Sequence, residues 1–104
     1  MHRVLFAIYR KPELSFEEFL THYRDVHLPI ARKLPKLRQY DIFPVQPGPG
    51  GDAPDAFTLM TFDSAEDFEA FLAVPEMAEI AEDNEKFIGK VESYTIDHIP
   101  VIAG

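Results

Sequence analysis

The chain of 104 residues contains no cysteine and no tryptophan. Without cysteine there is no disulfide framework, no thiolate metal site and no cysteine nucleophile. Basic residues are scarce as well: ten Lys and Arg stand against 18 Asp and Glu, for a net charge of −8. That balance argues against a phosphate-backbone footprint for DNA or RNA and against anionic membranes. No apolar run approaches the ~20 residues of a bilayer span. The opening MHRVLFAIYR carries no separate hydrophobic signal region and cleavage site, so a cytoplasmic location is expected.

Apolar material is plentiful: 46% of the residues are hydrophobic and nine are Phe. One domain spanning residues 1–104 can bury roughly 60–70% of its unfolded surface. Val4 to Tyr9 is an unbroken apolar run, too short for a helix and suited to a central strand. Ser15 with Glu18 forms a capping box that starts a helix after the Pro12-Glu13-Leu14 turn. The helical pattern continues to about Leu34, with Pro29 expected to disturb it near Asp25 to Leu28. Lys36 to Val45 reads as a second strand and Ala56 to Phe62 as a third. Ser64 caps another helix, which restarts at Pro75 and runs to about Phe87, with Gly89 as its C-terminal cap. Lys90 to Ile102 supplies the last strand.

This order is an α+β, ferredoxin-like βαββαβ arrangement: a four-stranded antiparallel sheet with the first and third strands central. Both helices fall on one face. Leu5 and Tyr9 on one parity of the first strand, and Phe6 and Ile8 on the other, imply that the second face is covered too. A homodimer packed through its sheet faces is the simplest cover.

The candidate chemistry lies between Ser15 and Tyr40. Phe16, Phe19, Leu20, Tyr23, Ile30 and Leu34 form one apolar stripe, and His27 lands inside it, about 20° from Phe16 on the helical wheel. An imidazole facing a core is either a satisfied structural histidine or part of a site. Tyr40, on the following strand, can face the same pocket if the helix packs back on the sheet. Imidazole and phenol together suit proton transfer beside a carbonyl. Arg24, at the stripe's edge, could orient a substrate carboxylate or simply pair with Asp25, Asp41 or a dimer partner. His22 lies roughly 140° from His27 on a regular helix, which speaks against a shared zinc, and is expected near solvent beside Glu18. The acidic set Glu76, Glu79, Glu82, Asp83 and Glu85 reads as a solvated helix face. The Gly- and Pro-rich residues 46–55 precede a strand and not a helix, so a hairpin connection that could act as a lid is expected rather than a phosphate cradle.

The pattern Phe19, His22-Tyr23-Arg24, Val26-His27, Pro29, Leu34-Pro35, Leu37, Tyr40 resembles the EthD family of the dimeric α+β barrel superfamily. The opening VLFAIYRKPELSFEEF and the closing KFIGKVESYTIDHIPV resemble it as well. The resemblance implies a ferredoxin-like protomer, dimeric through its sheets, with a cavity between helices and sheet. The family takes its name from a gene cluster for ethyl tert-butyl ether degradation, and includes or adjoins cofactor-free methylmuconolactone isomerases and polyketide-tailoring enzymes. In isomerase-like members a helix histidine and a strand tyrosine line the site, and His27 and Tyr40 match them. Met60 stands where those isomerases carry a cysteine, which counts against the same lactone chemistry here.

The expectation is therefore a homodimer that binds a small hydrophobic carbonyl or phenolic compound, without a cofactor or metal, for isomerase- or lyase-type proton transfer. His27 and Tyr40 would be catalytic, and Arg24, Tyr23 and Met60 would contact substrate. A binding or accessory protein for an oxygenase system, using the same pocket for affinity alone, is the alternative.

Overall fold

A computed structural model of the chain describes residues 1–46 and 52–102. Strands β1 (His2–Arg10), β2 (Gln39–Pro44), β3 (Ala56–Phe62) and β4 (Ile88–Ile96) form one sheet in the order β2-β3-β1-β4, antiparallel throughout. The two most continuously apolar strands are the central pair, as their composition requires. Helical segments α1 (Phe16–His22), α2 (Leu28–Ala31), α3 (Ala65–Ala73) and α4 (Met77–Phe87) fill the two crossovers.

Strand alternation divides the side chains cleanly. Phe6 and Ile8 of β1, Tyr40 and Ile42 of β2, and Ala56, Met60 and Phe62 of β3 join the helices in two adjoining core clusters. In register with one another, Leu5, Leu59 and Tyr94 lie on the opposite side, as do Ala7, Phe57 and Phe43. Among the described residues no helix covers that second face; Phe43 and Tyr94 are each 51% exposed.

The capping box is present in both directions: Glu18 N–H donates to Ser15 Oγ and Ser15 N–H donates to Glu18 Oε1. Those bonds hold the Glu18 carboxyl below its usual range. Ser64 Oγ accepts from Asp67 N–H at the start of α3.

The break expected from Pro29 takes the form of a π turn, Tyr23–His27, that separates α1 from α2, and tighter turns carry the chain on to Leu34. Three details differ from expectation. Strand β2 starts at Gln39 rather than Lys36, because Lys36 adopts a left-handed backbone with φ 73° after Pro35. Gly89 is no helix cap but a residue of β4, where an added Cβ would stand 2.9 Å from Arg10 C=O, so only glycine lets these strands meet. Strand β4 ends at Ile96, leaving Ile99, Val101 and Ile102 exposed beyond it. Of the lid expected of residues 46–55, residues 47–51 lie outside the described residues. At its end Asp55 ties the connection to β1, accepting from Arg10 N–H at 2.9 Å and donating its own N–H to Ile8 C=O.

Candidate functional site

The site grows from the break in the first helical run. Proline at 29 has no N–H to give, and in a regular helix its ring would press on the Asp25 carbonyl. The chain widens instead into one π turn, closed by Leu28 N–H donating to Tyr23 C=O. In π geometry residues five apart return to nearly the same side. His22 and His27, which a regular helix would separate by about 140°, therefore both reach Asp83 of α4. His27 Nδ1 lies 2.9 Å from Asp83 Oδ2, and His22 Nε2 lies 3.0 Å from Oδ1 and 3.2 Å from Oδ2.

Asp83 is thus not on the solvated face; it is 3% exposed, on the buried stripe with Ile80 and Phe87. Nor does His22 stand free beside Glu18. Phe87 seals the cluster from below, its ring centroid 4.8 Å from that of His22 and 5.0 Å from that of His27. Tyr23, edge-on to His27 at 5.4 Å, completes the aromatic wall.

A cavity of about 200 Å³ opens between the helices and the sheet. Its walls are mostly apolar, with Ile8, Leu34, Met60, Phe71 and Met77 among them, and its polar members are Tyr23, His27, Tyr40, Thr58 and Asn84. The half-exposed Leu72 and Val91 form part of its rim, so it communicates with the surface. Tyr23 is hydrogen-bonded to Thr58 Oγ1, and its hydroxyl lies 3.5 Å from that of Tyr40. The three hydroxyls run along the sheet side of the cavity.

The structure thus brings together four of the five residues singled out in the sequence: His27, Tyr40, Tyr23 and Met60 all line this cavity. Arg24 does not. Its side chain is 63% exposed and sits 3.6 Å from Asp25, in the surface-pair position. Asp83, His22 and Thr58 were missed as site residues. Asp83 had a signal, since it falls three residues after Ile80 and four before Phe87 on an apolar stripe. Thr58 had one in its parity, which it shares with Ala56, Met60 and Phe62.

Burial lowers the His27 pKa from its ordinary 6.5, outweighing the Asp83 contact that raises it, so at neutral pH the imidazole is uncharged. Burial raises the pKa of Tyr23, and burial with the neighbouring Tyr23 raises that of Tyr40. Both phenols keep their protons as potential donors. Among the described residues the sole sealed side-chain polar atom without a partner is Thr61 Oγ1. His27 Nε2 makes no hydrogen bond to them and is not sealed, and His27 lines the cavity. No group of three or more His, Asp or Glu among the described residues is placed to hold a metal ion.

The model of the EthD domain matches residues 11–90. The chain belongs to the EthD family. An EthD family protein from Bacillus halodurans C-125 is 27% identical, with a TM-score of 0.77, the alignment covering 95% of this chain and 100% of that one. Two more distant structures share the fold. A dimeric protein of unknown function and ferredoxin-like fold from Bacteroides fragilis is 11% identical over 93% of this chain and 95% of that one, with a TM-score of 0.68. A dimeric ferredoxin-like protein from Thermobifida fusca is 15% identical over 91% and 88%, with a TM-score of 0.65. No curated protein matches the chain. This EthD domain has no helix, among its described residues, long and apolar enough to cross a membrane.

Proposed function

We propose that this EthD protein is a homodimer that binds a small, single-ring carbonyl or phenolic compound and catalyses proton transfer on it, an isomerase- or lyase-type step needing no cofactor. The observation that carries the proposal is the cavity lined jointly by Tyr40 and by His27, whose Nε2 is unpartnered among the described residues and whose pKa burial lowers. An apolar cavity of about 150 Å³ suffices for benzene. One of about 200 Å³ therefore suits one ring with small substituents. Its few polar groups would fix the orientation of an otherwise apolar guest.

In this scheme Nε2 removes a proton from the carbon beside the carbonyl. The C–H electron pair shifts into the enolate, and the negative charge collects on oxygen, where the Tyr40 O–H donates to it. The imidazolium then returns its proton to a different carbon in an isomerisation, or to the leaving group in a lyase step. Tyr23 and Thr58 hold Tyr40 in place, Met60 contributes to the wall, and Arg24 has no part.

The uncovered sheet face supports the dimer. Leu5, Leu59 and Tyr94, and Ala7, Phe57 and Phe43, make its middle apolar, with Asp41 and Glu92 ending the two rows on the edge strands, and a second copy offers a matching surface. Cytoplasmic residence and a place in small-molecule catabolism, such as ether degradation, accord with family membership and with the acidic composition.

Molecules that copurify with the protein from its host, identified by mass spectrometry, supply ligands to titrate into wild type and His27→Gln. Glutamine leaves a donor for Asp83, so the fold should persist. Turnover should fall by roughly 10²–10⁴, the usual contribution of a general base. Unchanged turnover would refute the assignment of His27, and tight binding of a ligand that is never converted would favour a carrier or accessory role.

A further inference from the structure

The buried carboxylate between two histidines is larger equipment than a general base needs in order to exist, and it asks for its own explanation. We infer that Asp83 and His22 are positioning residues: together they lock His27 as the Nδ1–H tautomer and so aim the bare Nε2 at the cavity. The inference rests on the proton-transfer proposal above.

Asp83 has no exposure to speak of, 3%, and its ionised carboxylate can only accept hydrogen bonds. Each imidazole that meets it must therefore donate. For His27 the contact is at Nδ1, 2.9 Å away, which places the single ring proton of the neutral form on Nδ1 and leaves the lone pair on Nε2. The opposite tautomer would set the Nδ1 lone pair against a carboxylate oxygen in a buried site. His22 acts one step further out. Its Nε2 spans both carboxylate oxygens at 3.0 and 3.2 Å, so Asp83 cannot rotate away from His27 without losing its other partner. The side chain of His22 is 24% exposed, against 7% for His27, so the array runs from the cavity to the surface. The π turn makes the arrangement possible, since it alone puts residues five apart on one carboxylate.

The orienting role also explains why a buried acid is tolerated on α4 beside Ile80 and Phe87. A carboxylate stripped of water is costly unless its lone pairs are filled by good donors. Two imidazoles and an aromatic floor supply that environment.

The test reads the tautomer directly. In the full-length, uniformly ¹⁵N-labelled protein near pH 7.5, long-range proton–nitrogen spectra should show His27 with its proton on Nδ1 and a bare Nε2. In Asp83→Asn the carboxamide can offer N–H to Nδ1, and the His27 proton should move to Nε2. In His22→Gln, which still donates to Asp83, the His27 signals should stay as in wild type; in His22→Leu they should shift toward a mixture of tautomers. Should Asp83→Asn fail to fold, the wild-type spectrum and the His22 pair still decide. A wild-type His27 protonated on Nε2, or a tautomer unmoved in Asp83→Asn, or His22→Leu indistinguishable from wild type, would overturn the inference.

A second arm separates this from the function itself. With 4-nitrophenol as probe, at a pH below the phenol's own pKa so that most of the free probe is un-ionised, wild type should bind it and show added phenolate absorption as Nε2 takes the phenolic proton. Asp83→Asn and His27→Gln should lose that added absorption. A correct tautomer with no phenolate signal in wild type would leave the positioning pair standing and remove the proton-transfer proposal.

Discussion

The two faces of the sheet are built from the same strands and differ in almost everything else. On the helix side polar groups are interlocked: His22, Asp83 and His27 form one set, Thr58, Tyr23 and Tyr40 another, and a cavity lies against both. On the other side Leu5, Leu59, Tyr94, Phe57 and Phe43 form apolar surface, and the polar contacts found there among the described residues, Tyr9 with Glu92 and Gln39 with Asp41, are separate pairs involving the edge strands. Buried polar groups that are mutually satisfied specify a geometry, whereas an apolar face specifies only that something must cover it. Under the proposed function, the first face carries the chemistry and the second the assembly.

If that division is right, damage to one face should spare the other. The largest stability effect belongs to Phe87, fully buried under both histidines and Tyr23. Phe87→Ala should cost about 3–5 kcal/mol in chemical denaturation, with the His27 tautomer blurred as well. Leu59→Asp, placed in the middle of the open face, should convert the dimer to monomer in sedimentation velocity while leaving the His27 ring signals in place. A monomer with a scrambled His27 would mean that the two faces are not separable.

pH sharpens the comparison further. Because burial holds His27 below 6.5, the unfolded chain takes up a proton that the folded one refuses as pH falls below that value. Stability should therefore decline from neutral pH downward, and level off once the folded imidazole is also protonated. Denaturation midpoints measured across that range should show a shallower decline for His27→Gln than for wild type. The smallest effect is a control remote from both faces: Ser15→Ala, which removes the acceptor of Glu18 N–H, should cost about 1 kcal/mol.

Much of this was legible in the residues themselves. Apolar continuity picked out β1 and β3 as the central strands, the Ser15–Glu18 spacing located the start of α1, and one polar residue on an apolar stripe pointed to His27. Tyr40 followed from the packing of that helix on β2. What the residues concealed was a change of helical phase. A wheel drawn at a constant angle sends His22 to solvent, and only the π turn before Pro29 brings it back to Asp83. Asp83 was hidden by its company, one acid among several on α4, although its spacing to Ile80 and Phe87 marks it as inward-facing. Arg24 shows the reverse case: at the edge of the stripe it could have served the cavity, and the long side chain turns to Asp25 instead.

The central claim is that the helix-side cavity receives a small ring against His27 and Tyr40. A crystal structure of the protein with 4-nitrophenol tests it most directly. The predicted result is one molecule in the cavity, its ring among Phe71, Met77 and Met60 and its oxygen within hydrogen-bond distance of His27 Nε2 or the Tyr40 hydroxyl. A cavity that stays empty while the probe binds elsewhere, on the open sheet face for example, would contradict it.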